Sequence, residues 1–168
     1  MGRLAQEDLG GLRLAGRAAG FASREPGSAL LAVRMAAWVA AISLGVKVLP
    51  LPRVLKLATP LRRRPARRDA AGVQARTARL LDALLATDVW CFTPTCWKRA
   101  AVLHRFLALG GRETRIVFGM RKGGGALLDG HAWLEDRAGA LFETERPDYT
   151  VTYSFPSRPR TREIQQQT

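Results

Sequence analysis

Two side chains in this 168-residue chain have the types and settings of a nucleophile and its base. Cys96 sits in Thr93-Pro94-Thr95-Cys96-Trp97-Lys98-Arg99, where a helix is expected to begin. His131 sits in Asp129-Gly130-His131-Ala132-Trp133-Leu134-Glu135, where a strand is expected. The thiolate is the reactive form of cysteine, and a helix N-terminus with nearby cations favours it over a free thiol of pKa about 8.5. An imidazole within reach can take the thiol proton and later return it to a leaving group, the chemistry of acyl transfer through a covalent intermediate.

The elements that must position this pair follow from local pattern. Thr93 has the chemistry of an N-cap and Pro94 suits a first helical position, which would place Cys96 in the first turn. Ala100, Leu103 and Leu107 then recur at helical spacing until Gly110-Gly111, a stop signal, giving a helix of about four turns. Thr114, Ile116 and Phe118 alternate with Arg115, Val117 and Gly119 in an expected strand over 112–120. A flexible Gly123-Gly124-Gly125 leads to a second strand over 127–135, with His131, Trp133 and Glu135 on one face and Ala132 and Leu134 on the other. A turn at 136–139 would close a hairpin with a third strand over 140–144, bringing Glu143 or a near neighbour opposite His131. Cys96 is then the nucleophile, His131 the general base and acid, and Glu143 the group that orients the imidazole.

At these residues the chain resembles a known family. The block Cys96-Trp-Lys-Arg-Ala-Ala-Val-Leu-His-Arg-Phe-Leu-Ala-Leu-Gly-Gly111 is similar to the cysteine helix of the lasso-peptide leader peptidases, transglutaminase-like cysteine proteases also described as microcin-processing proteins. Ile116-Val-Phe-Gly119, Gly130-His-Ala-Trp-Leu-Glu135 and an acid twelve residues after the histidine extend the resemblance over roughly residues 28–150. It implies that Cys96 and His131 are the catalytic pair. The third position in that family is usually aspartate, whereas here it is Glu143, one methylene longer, with Asp148 as the alternative. The resemblance also implies a precursor peptide as substrate, a separate leader-recognition protein and an ATP-dependent macrolactam cyclase as partners, and no metal or cofactor.

The expected fold class is α+β: a transglutaminase-like or papain-like core in which the cysteine helix packs on an antiparallel sheet, preceded by helices. Residues 1–69 would form an N-terminal helical region and basic linker, 70–155 the catalytic core, and 156–168 a polar tail. Apolar helices are expected over 28–49 and 53–58, and a third over 70–87 with Val73, Ala78, Leu80, Leu81, Leu84 and Leu85 as its buried side. The first is too short of charge to ignore a membrane. Yet its longest uncharged run, Met35 to Val46, falls well below the roughly 20 residues of a spanning helix, which favours a core or interfacial helix.

Hydrophobic residues make up 47% of the chain, which is globular rather than disordered. Its net charge of +13 is uneven: residues 1–76 hold 14 basic and 4 acidic side chains, residues 77–168 hold 13 and 10. The run Leu61-Arg-Arg-Arg-Pro-Ala-Arg-Arg68 would serve as a solvated linker or meet an acidic peptide, an acidic partner or an anionic membrane surface. It carries no aromatic interleaving and no nucleic-acid module, so no nucleic acid is expected. The composition points to the cytoplasm, with Cys91 and Cys96 as free thiols. Cys91, Cys96, His104 and His131 lack the paired spacing of a zinc site. His104 is expected to be at the surface or partly buried. An acyl transferase using the same residues, or a non-catalytic basic adaptor, are the rival functions.

Overall fold

A computed structural model describes residues 26–61, 70–87, 92, 95–123, 128–143 and 148–156. Helices α1 (Pro26–Val48), α2 (Leu51–Ala58), α3 (Ala70–Leu85) and α4 (Cys96–Leu109) precede strands β1 (Arg115–Lys122), β2 (Leu128–Glu135), β3 (Ala140–Leu141) and β4 (Thr150–Phe155). The strands form one antiparallel sheet in the order β3-β2-β1-β4. The expected α+β architecture, a cysteine-bearing helix on an antiparallel sheet, is therefore what the chain forms.

One apolar core joins the helices to one face of the sheet. Met35, Val39 and Ile42 of α1, Val54 and Leu55 of α2, Leu81 and Leu85 of α3, and Ala101, Leu103 and Leu107 of α4 meet Ile116 of β1 and Leu134 of β2. Each Leu or Val side chain fully removed from water contributes about 1.5–3 kcal/mol, so this cluster outweighs any single polar contact in the fold. The core runs across the 69/70 boundary drawn from the sequence. On α3 the apolar pattern holds except at Val73, which is exposed, while the polar Thr77 is buried and donates to the Val73 carbonyl at 2.8 Å. A hydroxyl satisfied within its own helix can be buried at little cost.

Arg105 ties three helices together. Its Nη1 donates to the carbonyls of Leu57 and Ala58 at the end of α2, at 3.3 and 3.2 Å, and its guanidinium lies 3.6 Å over the Trp38 ring of α1. Those carbonyls have no intrahelical donor, so a cation from α4 satisfies them and fixes the packing of α2 on α4.

His104 is fully buried, contrary to the surface or partly buried position expected for it. Thr59 Oγ1 donates to the Leu55 carbonyl at 3.1 Å and stands 3.4 Å from His104 Nε2, while Thr114 Oγ1 is 2.9 Å from Nδ1. With the Thr59 proton committed to Leu55, Nε2 is the donor and Nδ1 accepts from Thr114. Phe155 packs edge-on at 6.2 Å. A histidine on the inward face of α4 thus bridges α2 and the start of β1. His104→Ala is expected to lower stability by about 2–4 kcal/mol, from lost packing and from the hydrogen bonds that Thr59 and Thr114 lose to the ring. Urea denaturation measures it, and a change below about 0.5 kcal/mol would mean that His104 is not the bridge described.

Candidate active site

Helix α4 starts two residues later than the sequence suggests. Thr95, at φ −128° and ψ 137°, is the N-cap residue, and its carbonyl accepts the first intrahelical bond from Arg99 N at 3.1 Å. Its hydroxyl makes no capping bond and is buried without a partner among the described residues. Thr93, Pro94 and Cys91 lie outside the described residues. The shift makes Cys96 the first residue of the helix, still within its first turn as expected. Its thiol, half-buried and unoxidised, stands where first-turn amides lack intrahelical acceptors.

His131 lies in the middle of β2, paired across the sheet with Gly119 of β1. Trp133 is stacked with it, ring centroids 5.9 Å apart and planes inclined by 14°, and donates from Nε1 to Glu135 Oε1 at 2.9 Å. His131, Trp133 and Glu135 therefore share one face, as strand alternation requires, while Leu134 faces the helices.

The acid reaches the imidazole by a route the sequence did not disclose. β3 pairs only through Leu134↔Leu141 and Glu135↔Ala140, not over the expected 140–144. Continued in that register, the ladder would set residue 144 opposite His131 and turn Glu143 to the opposite face. Instead the chain leaves the ladder at Phe142, whose φ of 59° is a left-handed conformation that bulky residues seldom adopt. Beyond that twist Glu143 Oε2 lies 3.2 Å from His131 Nε2. Asp148 is exposed, and its charge bears on Arg121.

Arg99 connects this pair to the cysteine helix. It sits three residues after Cys96, so it rises from the same turn of α4. Its Nη1 is 3.6 Å from Glu143 Oε1. Its Nε and Nη2 hold Asp82 of α3 in a two-pronged bond at 2.6 and 3.1 Å. The Asp82 hydrogen bond, with the charges of Asp82 and Glu143, outweighs burial and raises the Arg99 pKa above the usual guanidinium value. Glu143 is thus shared between an imidazole from the sheet and a guanidinium from the helix that begins with Cys96. Among the described residues no hydrogen bond joins Cys96 itself to His131.

Tyr149 closes the site from the segment before β4. Its ring lies 5.4 Å from that of His131 and 6.1 Å from that of Trp133, and its hydroxyl donates to Asp129 Oδ2 at 2.9 Å. Arg121 holds the same Asp129 oxygen at 3.0 Å and covers the Tyr149 ring at 4.5 Å. Burial first, then the bond to Asp129 and the charges of Asp129 and Cys96, keep the phenol pKa above its ordinary value. Tyr149 therefore stands against the imidazole. The space for it exists because residue 119 is glycine. A Cβ there would come within 2.7 Å of Tyr149 Cβ and 2.9 Å of Trp133 Cη2.

A family model described as the transglutaminase-like superfamily matches residues 29–154. The chain belongs to the transglutaminase-like superfamily. No curated protein and no solved structure matches it. The superfamily domain takes in α1 and α2 as well as the cysteine helix and the sheet, in keeping with their common core. Superfamily members are usually cysteine peptidases or acyltransferases, and acyl transfer of either kind can run through a thiol nucleophile with an imidazole base.

Sequence pattern singled out Cys96, His131 and Glu143 but passed over Tyr149, Asp129, Asp82 and the structural role of Gly119, and treated Arg99 only as added positive potential. Gly119 was the one visible signal, a glycine inside a strand, where close approach of another group is a standing explanation. Gly119→Ala is expected to cost about 1–3 kcal/mol through overpacking and to red-shift tryptophan emission as Trp133 is displaced. Thermal denaturation and fluorescence together test this. An unchanged melting curve and spectrum would show that Tyr149 and Trp133 are not held as described.

Proposed function

We propose that this protein is a cysteine protease that removes the leader from a ribosomally made precursor peptide during lasso-peptide maturation in the cytoplasm. The observation that carries the catalytic part is the His131–Glu143 contact, tied through Arg99 to the helix that Cys96 begins. The choice of leader removal rests on the sequence resemblance of the cysteine helix and the His-Ala-Trp-Leu-Glu strand.

In this mechanism Glu143 holds the proton on His131 Nε2 and leaves Nδ1 to accept the Cys96 thiol proton. The thiolate attacks the carbonyl carbon of the leader–core amide, and the oxyanion that forms is met by the Cys96 backbone amide at the start of α4. As the C–N bond breaks, His131 returns its proton to the departing amine, which is the new N-terminus of the core peptide. A water molecule then gives a proton to His131 and adds to the thioester. Collapse of this second adduct breaks the C–S bond and releases the leader carboxylate, and His131 returns its proton to the departing Cys96 thiolate. Every proton moves through one imidazole, which explains why its orientation is so heavily constrained. Trp133 and Tyr149 wall the site and exclude bulk water from the acyl-enzyme. A separate leader-recognition protein and an ATP-dependent macrolactam cyclase would act with it, the cyclase closing a ring on the amine set free.

Superfamily membership favours one other outcome, transfer of the acyl group to an amine instead of water. Mass spectrometry of a candidate precursor peptide incubated with the protein, its leader-binding partner and an added primary amine separates the two. Leader and core fragments without an amine adduct, lost by about a thousandfold or more in Cys96→Ala, are expected. An amine adduct in place of a free leader carboxylate would instead make the protein an acyltransferase. An intact peptide that still binds both proteins would point to an adaptor acting through its basic N-terminal half.

A further inference from the structure

Helix α1 carries apolar residues on opposite sides, and only one of those sides is buried by the fold. Met35, Val39 and Ile42 are buried in the core. On the opposite side Leu30, Val33, Ala37, Ala41, Leu44 and Val48 recur in steps of three and four residues, one face of a helix, and all are exposed. Leu30 is 62% exposed, Val33 65%, Leu44 49% and Val48 80%.

By length and composition alone, Gly27–Val48 could cross a membrane, with a mean hydropathy of 1.9. Its inner face excludes that in the folded protein, because crossing would strip Met35, Val39 and Ile42 from α3 and α4. Lying flat on a surface keeps the core intact and covers the outer stripe, as an interfacial helix does.

The charge around the stripe indicates which surface. The described residues 26–61 contain four basic side chains and no acidic one. Arg34 and Lys47 of α1 are exposed beside the stripe, and Arg53 and Lys56 are exposed on α2. A second copy of the chain docked here would set like charges against each other, whereas an anionic bilayer offers phosphates at the level of the cations and acyl chains beneath them. We propose that the outer face of α1 is a docking surface for an anionic lipid bilayer, with its flanking arginines and lysines on the headgroups. The catalytic site then works at a membrane surface while the chain remains peripheral. This holds whichever acyl-transfer reaction Cys96 carries out.

Co-sedimentation of the full-length protein tests the proposal, using vesicles of equal parts phosphatidylglycerol and phosphatidylcholine against phosphatidylcholine alone. The protein is expected to pellet with the anionic vesicles only, and less so as salt is raised. A Leu30→Ser, Val33→Ser, Leu44→Ser variant is expected to bind about tenfold or more weakly with an unchanged circular dichroism spectrum. Arg34→Glu with Lys47→Glu, which leaves the stripe intact, should also weaken binding. The proposal is overturned if the protein ignores anionic vesicles or if both variants bind as the parent does. It is equally overturned if the parent is a dimer in the ultracentrifuge that the serine variant dissociates, since a second copy would then cover the stripe.

Discussion

The 3.2 Å contact between His131 and Glu143 is the interaction on which the rest of the site depends, and it is a demanding one to build. An imidazole can serve a thiol only if something fixes which nitrogen carries the proton and which way the ring faces. Here the carboxylate that meets the imidazole lies just past a strand of two residues, beyond a left-handed phenylalanine, on the edge of a four-stranded sheet. Nothing in the ladder itself would hold it there. Arg99 does so from the other side, and Arg99 is in turn gripped by Asp82. The strain at Phe142, of order 1–3 kcal/mol, is tolerable because Phe142 also packs against the core. Helix α3, helix α4 and the sheet edge therefore converge on one carboxylate.

That convergence explains the remote parts of the fold. Asp82 is positioned by α3, whose place is set by Leu81 and Leu85 in the common core. The start of α4 is aligned through Arg105 and His104, which fasten it to α1, α2 and the sheet. The N-terminal helices are thus part of the scaffold that delivers Arg99 to Glu143.

How much of this was legible in the sequence divides along a physical line. Features written in local period were readable: the four-turn cysteine helix, the alternation that sets His131 and Trp133 on one face, and the turn at 136–139. The last is secured by Asp136 Oδ1, which accepts from the amides of Ala138 and Gly139. Features decided by tertiary contact were not. Thr93 and Thr95 are equally good caps by type, and the choice between them depends on where the helix is packed. Strand β3 was drawn too long because backbone dihedrals such as that of Phe142 leave no mark in hydrophobic pattern. His104 was misplaced because a polar side chain on an apolar helix face can be buried once two threonines from distant segments satisfy it. Tyr149 and Arg99 are commonplace residues until the fold sets them beside His131 and Glu143. The acid was nonetheless identified correctly as a neighbour of the imidazole, although by a geometry other than simple cross-strand opposition.

The measurement closest to the central claim is the rate of alkylation of Cys96 by iodoacetamide near about pH 6.5, where an unassisted thiol is mostly protonated. It is followed by mass mapping in the parent protein and in His131→Ala, Glu143→Gln and Asp148→Asn. If His131 and Glu143 act on Cys96 as a unit, the first two variants slow labelling by about tenfold or more and Asp148→Asn leaves it unchanged. Equal rates in all four proteins would contradict the account, because the His131–Glu143 pair would then have no hold on the thiol.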